Sequence, residues 1–531
     1  MIFWPLLLLT LSNGFVVSVS PPADQVGAAV LEKGGNAVDA AVAVGFTLAV
    51  TWPEAGNIGG GGFMLVRPAG AASTPVVFDY REKAPASATK TLFAKGIRTP
   101  YHTVGVPGAV AGMFAAHKKF GKLPWQDLIS PAIRLAEAGV VVDASLAASL
   151  NAGLKKSKDF PEFVRIFGKT GGWKPGDRLV QKELASTLRL IAQQGPDGFY
   201  KGLTAERFVA EMKSGGGLIV ADDLLNYEVK ERQPIRGNFR GYDIYGPPPP
   251  SSGGITLILM LNMLEKFDLR KEGRLSARAL HLTVEAMKRA YADRARHLGD
   301  TDFVKIPAHL TTKEYAKKLA MTITDHASRS TDLAPEIALT DEKPSTTHYS
   351  TLDASGMAVS TTTTLENSFG SMIVVRGAGF LLNNEMTDFN AAEGVTTASG
   401  RIGTPANLIA PGKRMLSSMT PVIVVKEGRP ILITGSPGGR TIINTVLGVV
   451  LNVLEYGLSP QDAINAPRIH HQWLPDRVQA EVGIPIESLR DRGHTTITNR
   501  SQGDAHSIGI DPKTGKYVSA KDPRLAGTNR R

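Results

Sequence analysis

Two clusters of hydroxyls pose a chemical question: Ser345-Thr346-Thr347 ahead of His348, and the run Thr361-Thr362-Thr363-Thr364. A threonine hydroxyl becomes a useful nucleophile only when a nearby base takes its proton. The alternative is plain, since β-branched threonine suits a pleated, half-buried strand. The runs HYSTLD and MAVSTTTT flank ASG, so the two clusters read as the arms of a β-hairpin turning near Ser355. Cross-strand partners then carry numbers that sum to about 710, as 346 and 364 do. In that register the Cβ atoms of Thr346 and Thr364 lie about 5 Å apart, close enough for one hydroxyl to orient the other. Thr–Thr pairs are also common structural hydrogen bonds, and spacing alone leaves both readings open.

Composition narrows the chemistry. The chain has no cysteine, which removes disulfides, thiolate nucleophiles and cysteine-ligated metal sites, so a nucleophile must be oxygen or nitrogen. A formal charge of +11 over 531 residues is dilute, and short runs such as HKKFGK and GLKKSKD read as solvated helix faces. No basic cluster interleaved with aromatics points to nucleic acid. Hydrophobic residues at 42% and charged residues at 21% fit a globular chain long enough for several domains or one large architecture. The N-terminal MIFWPLLLLTLSNGF has an apolar run of signal-peptide length, without a basic start or an A-x-A-like site, and too short to span a bilayer. Residues 1–14 therefore read as a degraded or truncated export signal, with a buried first strand or helix as the alternative.

The elements that must position the hydroxyls follow from local pattern. Residues 23–51 read as two alanine-rich, buried helices: Gly34-Gly35 stops the first, Asn36 caps the second and Pro53 ends it. GGGG at 59–62 precedes a strand and lacks the Lys-Ser/Thr of a phosphate loop, so it reads as close backbone approach. A helical middle from Pro107 to Arg296 is broken by PPPPSSGG at 247–254, an extended crossing. Residues 301–345 are polar and turn-rich and read as an exposed, mobile segment. Strands are expected at 347–353, 357–364, 372–375, 379–383, 421–426 and 430–434. ITGSPGGRTIINTVLGVV gives strand, glycine turn and helix, so the N–H groups of Gly438 and Gly439 sit where a helix N-terminus favours negative charge. His470 and His471 are adjacent and cannot share a helix face as metal ligands at i, i+4 do.

STTHYS, LLNNEMTDF, KRMLSSMTP, TGSPGGR and APRIHHQWLP, with GGNAVDAAVA, GNIGGGGF, FDYREKAP and PPPSSGG, occur between about Phe15 and the C-terminus. Together they resemble the signatures of the γ-glutamyltranspeptidase (glutathione hydrolase) family. The resemblance implies an α+β fold, the four-layer αββα sandwich of the N-terminal nucleophile hydrolases with a helical large-subunit portion. It also implies self-cleavage between Ser345 and Thr346 into a large subunit, 15–345, and a small catalytic subunit, 346–531, paired as a heterodimer within one intertwined domain. Cut there, Thr346 would gain an α-amine, with a reference pKa of about 8, able to take the proton of its own hydroxyl. The polar run upstream would then be a segment that must move away.

By the same resemblance Thr364 orients the nucleophile, and Gly438 and Gly439 form the oxyanion hole. Arg81 binds the α-carboxylate of a γ-glutamyl group together with Ser417 and Ser418, while Glu385 and Asp388 receive its α-ammonium. Expected substrates are glutathione and other γ-glutamyl compounds, with amino acids or dipeptides as acceptors. No cofactor, metal or membrane span is expected, and the expected compartment is the periplasm or the exterior. His470 and His471 belong to a structural motif in this family.

Two departures stand out. Glu366 occupies the position where better-known members commonly carry an asparagine that contacts the substrate amine; a carboxylate adds attraction but crowds Glu385 and Asp388. Ser399 stands where an aromatic gate residue is often found in the lid between Asp388 and Ser417, so the lid should exclude water less well and favour hydrolysis over transfer. One rival reading is an acylase of the same family acting on glutaryl side chains of β-lactam precursors, which would dispense with Glu385 and Asp388. Another is a non-catalytic, uncleaved binding protein, against which the intact Thr346, Thr364, Gly438 and Gly439 stand.

Overall fold

The computed structural model describes residues 13–334, 346–397, 399, 402–499 and 501–525. Residues 1–12 of the signal-like segment, and Ser345, lie outside the described residues. Gly14, the last residue of that segment, instead opens strand β1 (Gly14–Val17), because Phe15 finds a cross-strand partner in Leu352. Among the described residues no helix is long and apolar enough to cross a membrane.

Two six-stranded sheets form the centre. In chain order the strands after β1 are β2 (Gly61–Arg67), β3 (Val76–Asp79), β4 (Lys230–Arg232), β5 (Ile235–Phe239) and β6 (Tyr242–Gly246). They continue with β7 (Thr347–Asp353), β8 (Ala358–Thr364), β9 (Val422–Lys426), β10 (Arg429–Thr434), β11 (His506–Ile510) and β12 (Tyr517–Lys521). One sheet runs β1-β7-β8-β2-β3-β4 and the other β12-β11-β10-β9-β6-β5, every pair antiparallel.

The sheets pack face to face, β7 and β8 against β10 and β11, with helices outside both. Helices α1 (Pro21–Glu32) and α2 (Ala37–Thr51) cover the first sheet; α3 (Gly253–Leu264), α4 (Ala277–His297) and α6 (Ile442–Leu454) lie on the far side of the second. Alternation along β2 shows how one strand serves two layers: Met64 and Val66 join the core under α1 and α2, while Phe63 and Leu65 join the core shared with the second sheet. The result is the expected αββα sandwich.

Helix α2 is buried at every position and starts on a capping box in which Asn36 accepts from the Val38 and Asp39 N–H groups and Asp39 accepts from that of Asn36. Three expectations need correction. The strands at 372–375 and 379–383 reduce to one bridge, Val374 to Leu381, because Phe369, Gly370, Met372, Gly377 and Gly379 all take positive φ and break the extended run. The helical middle also contains the β4, β5 and β6 strands, which the helix-period pattern hid. Finally, the segment after 301 is not simply exposed: α5 (Lys313–Ala320) buries Ala316 and Ala320 against α3, too short a helix to show a sustained period.

The hairpin β7–β8 supplies a polar seam between the sheets. His348 pairs with Thr362 Oγ1 at 2.9 Å and Ser350 Oγ at 3.1 Å; Ser350 donates to His506 O at 3.0 Å and Ser360 to Thr434 O at 3.0 Å. Burial holds the His348 imidazole well below its ordinary pKa, with His506 adding to the shift, so the ring is neutral and serves as a linker. Buried polar groups joined in this way fix one sheet against the other.

Candidate active site

The hairpin register is the expected one: Thr347 pairs with Thr363 and His348 with Thr362, so the next step outward places Thr346 beside Thr364. Both are buried and both line one small, half-open cavity of about 40 Å³. The strand end is fixed by backbone approach from β2 and the glycine just before it. A Cβ on Gly60 would lie 2.1 Å from Thr364 O and one on Gly62 2.4 Å from Thr362 O, so only glycine fits. Asn57 completes the clamp, donating to Thr364 O at 2.9 Å and accepting from Gly60 N–H at 2.9 Å. The GGGG run is therefore a packing device for the hairpin.

Beyond Thr364 the chain turns sharply. Glu366 sits at φ 76°, and its N–H donates to Thr364 Oγ1 at 2.7 Å, so the same turn orients one hydroxyl and delivers one carboxylate to the cavity. Glu385 and Asp388 come from a single 3-10 turn held by Asn383, which accepts from Glu385 N–H at 3.0 Å and donates to Gly59 O at 2.9 Å and Gly105 O at 2.8 Å. Asn384 receives Asn367 N–H at 3.0 Å. The paired asparagines of LLNNEMTDF are thus scaffold for the acids that follow them.

Arg81 is fully buried at the centre of this acidic wall. Its five N–H groups all meet protein acceptors: Met415 O at 3.2 Å, Leu416 O at 3.4 Å, Glu82 at 3.4 Å, and, in two short contacts, Glu385 and Asp388. Burial alone would lower the pKa of the guanidinium, but the carboxylates of Glu385, Asp388, Glu82 and Glu366 reverse that and hold it above its ordinary value. The acids carry the converse: burial, only partly offset by Arg81, pushes Glu82 up to about 7 and Glu385 well above the usual carboxylate range.

Ser417 and Ser418 follow directly on Met415 and Leu416, whose carbonyls hold Arg81, and line the same cavity. Ser417 is pinned by its backbone, its N–H donating to Pro250 O and its carbonyl receiving Ser252 N–H, both at 2.8 Å, which explains why PPPPSSGG crosses here. Ser418 Oγ accepts from Arg294 at 2.9 Å, and Arg294 also donates to Ser252 Oγ at 2.9 Å. Gly438 (φ 131°) and Gly439 (φ 56°) adopt conformations open to glycine, and one 3-10 turn, Gly439–Thr441, leads into α6. Gly439 lines the cavity with Thr346; Gly438 lies one residue behind it. The turn is tied at both ends: Tyr291 donates to Arg440 O, and a Cβ on Gly435 would fall 2.3 Å from the His348 ring. His348 therefore connects the strand bearing Thr346 to the turn bearing Gly438 and Gly439.

Nine of the ten expected catalytic and substrate-binding positions thus line one cavity. Sequence reasoning missed Arg294, Arg440, Asn390, Thr404 and Asn407, which line it too. Asn407 donates to Asp388 O at 2.7 Å and accepts from Leu416 N–H at 2.8 Å, linking the acidic turn to the segment that carries Ser417 and Ser418. On a helix surface pattern Arg294 reads as solvated; only packing turns it inward. Ser399 is exposed, bonded to Thr397 at 3.1 Å, and does not line the cavity. His470 and His471 are held by Asn444, Gln472 and Asp476, bracing the start of α6.

Known proteins resemble this chain along most of its length. The chain is 46% identical over 527 residues to the glutathione hydrolase proenzyme of Escherichia coli (strain K12), covering 96% of this chain and 90% of that one. The crystal structure of cephalosporin acylase from Bacillus halodurans superposes with a TM-score of 0.85 at 29% identity, over 97% of this chain and 94% of that chain. A solved chain of γ-glutamyltranspeptidase from Helicobacter pylori has a TM-score of 0.57 at 44% identity, over 59% of this chain and 92% of its own length. The family model described as gamma-glutamyltranspeptidase matches residues 23–530, and the chain belongs to that family of enzymes.

Proposed function

We propose that this chain is a γ-glutamyl hydrolase and transferase that cuts itself between Ser345 and Thr346 and uses Thr346 as its N-terminal nucleophile. The observation that carries the reading is the single cavity in which Thr346 and Thr364 face Arg81, three carboxylates and the Ser417-Ser418 pair. The matched span of the Helicobacter pylori chain, close to the share that 15–345 makes of this one, supports two separate pieces.

After cleavage the α-amine of Thr346 takes the hydroxyl proton and Oγ bonds to the γ-carbonyl carbon. The carbonyl oxygen takes up negative charge beside the N–H groups of Gly438 and Gly439; donors so placed contribute roughly 10²–10³ in rate. The amide C–N bond then breaks, the leaving amine takes the proton, and water or an acceptor amine opens the threonine ester. A γ-glutamyl ammonium entering among Glu366, Glu385 and Asp388 competes with Arg81 for their oxygens. That turns the guanidinium fork toward the α-carboxylate, which Ser417 and Ser418 flank.

The test is intact mass and N-terminal sequencing of the wild type and Thr346→Ala, followed by glutamate release from glutathione. Two pieces, one starting at Thr346, with release, and an uncut, inactive variant are expected. A single uncut wild-type chain would overturn the reading. Two pieces that release only glutarate from glutaryl amides would move it to the acylase alternative, against which Glu385 and Asp388 stand. With Ser399 exposed in the lid, hydrolysis should outweigh transfer; a transfer ratio unchanged in Ser399→Tyr would count against that.

A further inference from the structure

The acidic wall holds more carboxyl groups than one guanidinium can pair. Glu82, Glu366, Glu385 and Asp388 gather around Arg81, whose N–H groups are already distributed among protein acceptors. One oxygen each from Glu366, Glu385 and Asp388 lie within 4.8 Å of one another. Two oxygens bound to one calcium ion at about 2.4 Å can be no more than about 5 Å apart, a limit that this trio meets. An independent feature points the same way. Glu385 is 1% exposed and lines the cavity; Arg81 holds its Oε1, while its Oε2 is buried with no hydrogen-bond partner among the described residues. A buried carboxylate oxygen without a donor is costly unless a cation or a proton meets it.

We propose that Glu366, Glu385 and Asp388 form a binding site for a hard divalent cation of the calcium type, at the place where the proposed function seats the substrate ammonium. The donors are all oxygen, which selects a hard ion. Magnesium demands near-ideal octahedral geometry, whereas calcium tolerates the irregular set that a sharp turn and a 3-10 turn present. With three protein donors and a guanidinium alongside, affinity belongs at the weak end, around 10⁻⁴–10⁻³ M. Glu366 reaches the site from a left-handed backbone conformation that a side chain of its type rarely adopts, and its carboxylate is the donor that sets this chain apart. Cation and ammonium exclude each other, a consequence that rests on the proposed function, whereas cation binding itself does not.

The experiment uses the purified protein as it matures. Calcium chloride is titrated calorimetrically at fixed ionic strength, with magnesium chloride in parallel, into the wild type, Glu366→Asn and Asp388→Asn. Asparagine tolerates the left-handed region, so Glu366→Asn keeps the turn. Glutathione hydrolysis is then measured across the same calcium range. One calcium site weakened at least tenfold in both variants, weaker magnesium binding, and a KM that rises with calcium while kcat holds are expected. No calcium binding to an enzyme that hydrolyses glutathione, or equal binding in the variants, overturns the site and leaves the proposed function standing. Calcium binding lost in both variants with an unmoved KM supports the site and overturns the ammonium assignment.

Discussion

Arg81 anchors the acidic wall, in addition to its proposed part in substrate binding. Its guanidinium lies among Glu82, Glu385 and Asp388 with its remaining N–H groups on Met415 O and Leu416 O. Removing one partner of a buried charge network leaves the others uncompensated, which costs about 3–5 kcal/mol. Arg81→Gln should therefore lose stability by that order in addition to substrate binding, read as a shifted denaturant midpoint. A variant with wild-type stability and only a raised KM would show that the acids rearrange freely without it. Glu366, by contrast, sits at a turn where asparagine is better tolerated, so its substitution should change the cavity's charge with little effect on folding.

At the scale of elements, the hairpin and its neighbour β2 decide where the hydroxyls stand. Gly60 approaches Thr364 O so closely that any side chain must displace backbone. Overpacking of this kind typically costs about 1–3 kcal/mol. Gly60→Ala should therefore lower stability by that order and also slow both self-cleavage and glutamate release, because β8 carries Thr364 outward. Gly70→Ala is the control: its Cβ would meet nothing, although its positive φ adds local strain. If Gly60→Ala loses stability yet cleaves and turns over normally, the orienting role of Thr364 fails. His348 works at the same scale, tying the strand that follows Thr346 to the glycine turn through Thr362, Ser350 and the close face of Gly435.

For the whole molecule, buried titratable groups set opposite slopes of stability against pH. Burial holds His470 down to about 4 and His494 down to about 3. Both stay neutral in the fold while the unfolded chain protonates them below about 6.5, so stability falls as pH drops through that window, at about 1.4 kcal/mol per unit of separation. Glu82 behaves in the reverse sense. Its folded pKa of about 7 lies above the unfolded value, so its contribution is present below about pH 4.5 and is lost as pH rises through 7. Thermal midpoints from pH 4 to 8 should therefore show a shallower acid limb in His494→Asn and a shallower neutral limb in Glu82→Gln. Parallel profiles for wild type and variants would refute the assignment.

Local pattern by itself determined a good deal. The hairpin register, the Asn36 cap, the buried α2 helix and the glycine run were legible because each depends on neighbours within a few residues or on a strict period of two. The ordered motifs fixed the family, and with it the αββα sandwich. The tertiary structure decided what those signals could not carry. Strands 372–375 and 379–383 fail because several positive-φ residues break them, α5 forms because α3 offers a surface, and β4 to β6 interrupt a helical stretch. Arg294, Asn390, Thr404, Arg440 and Asn407 enter the cavity from distant segments, and Arg81 proves saturated by acids some three hundred residues away. Those facts depend on which surfaces meet in the closed sandwich, and no spacing along the chain records that.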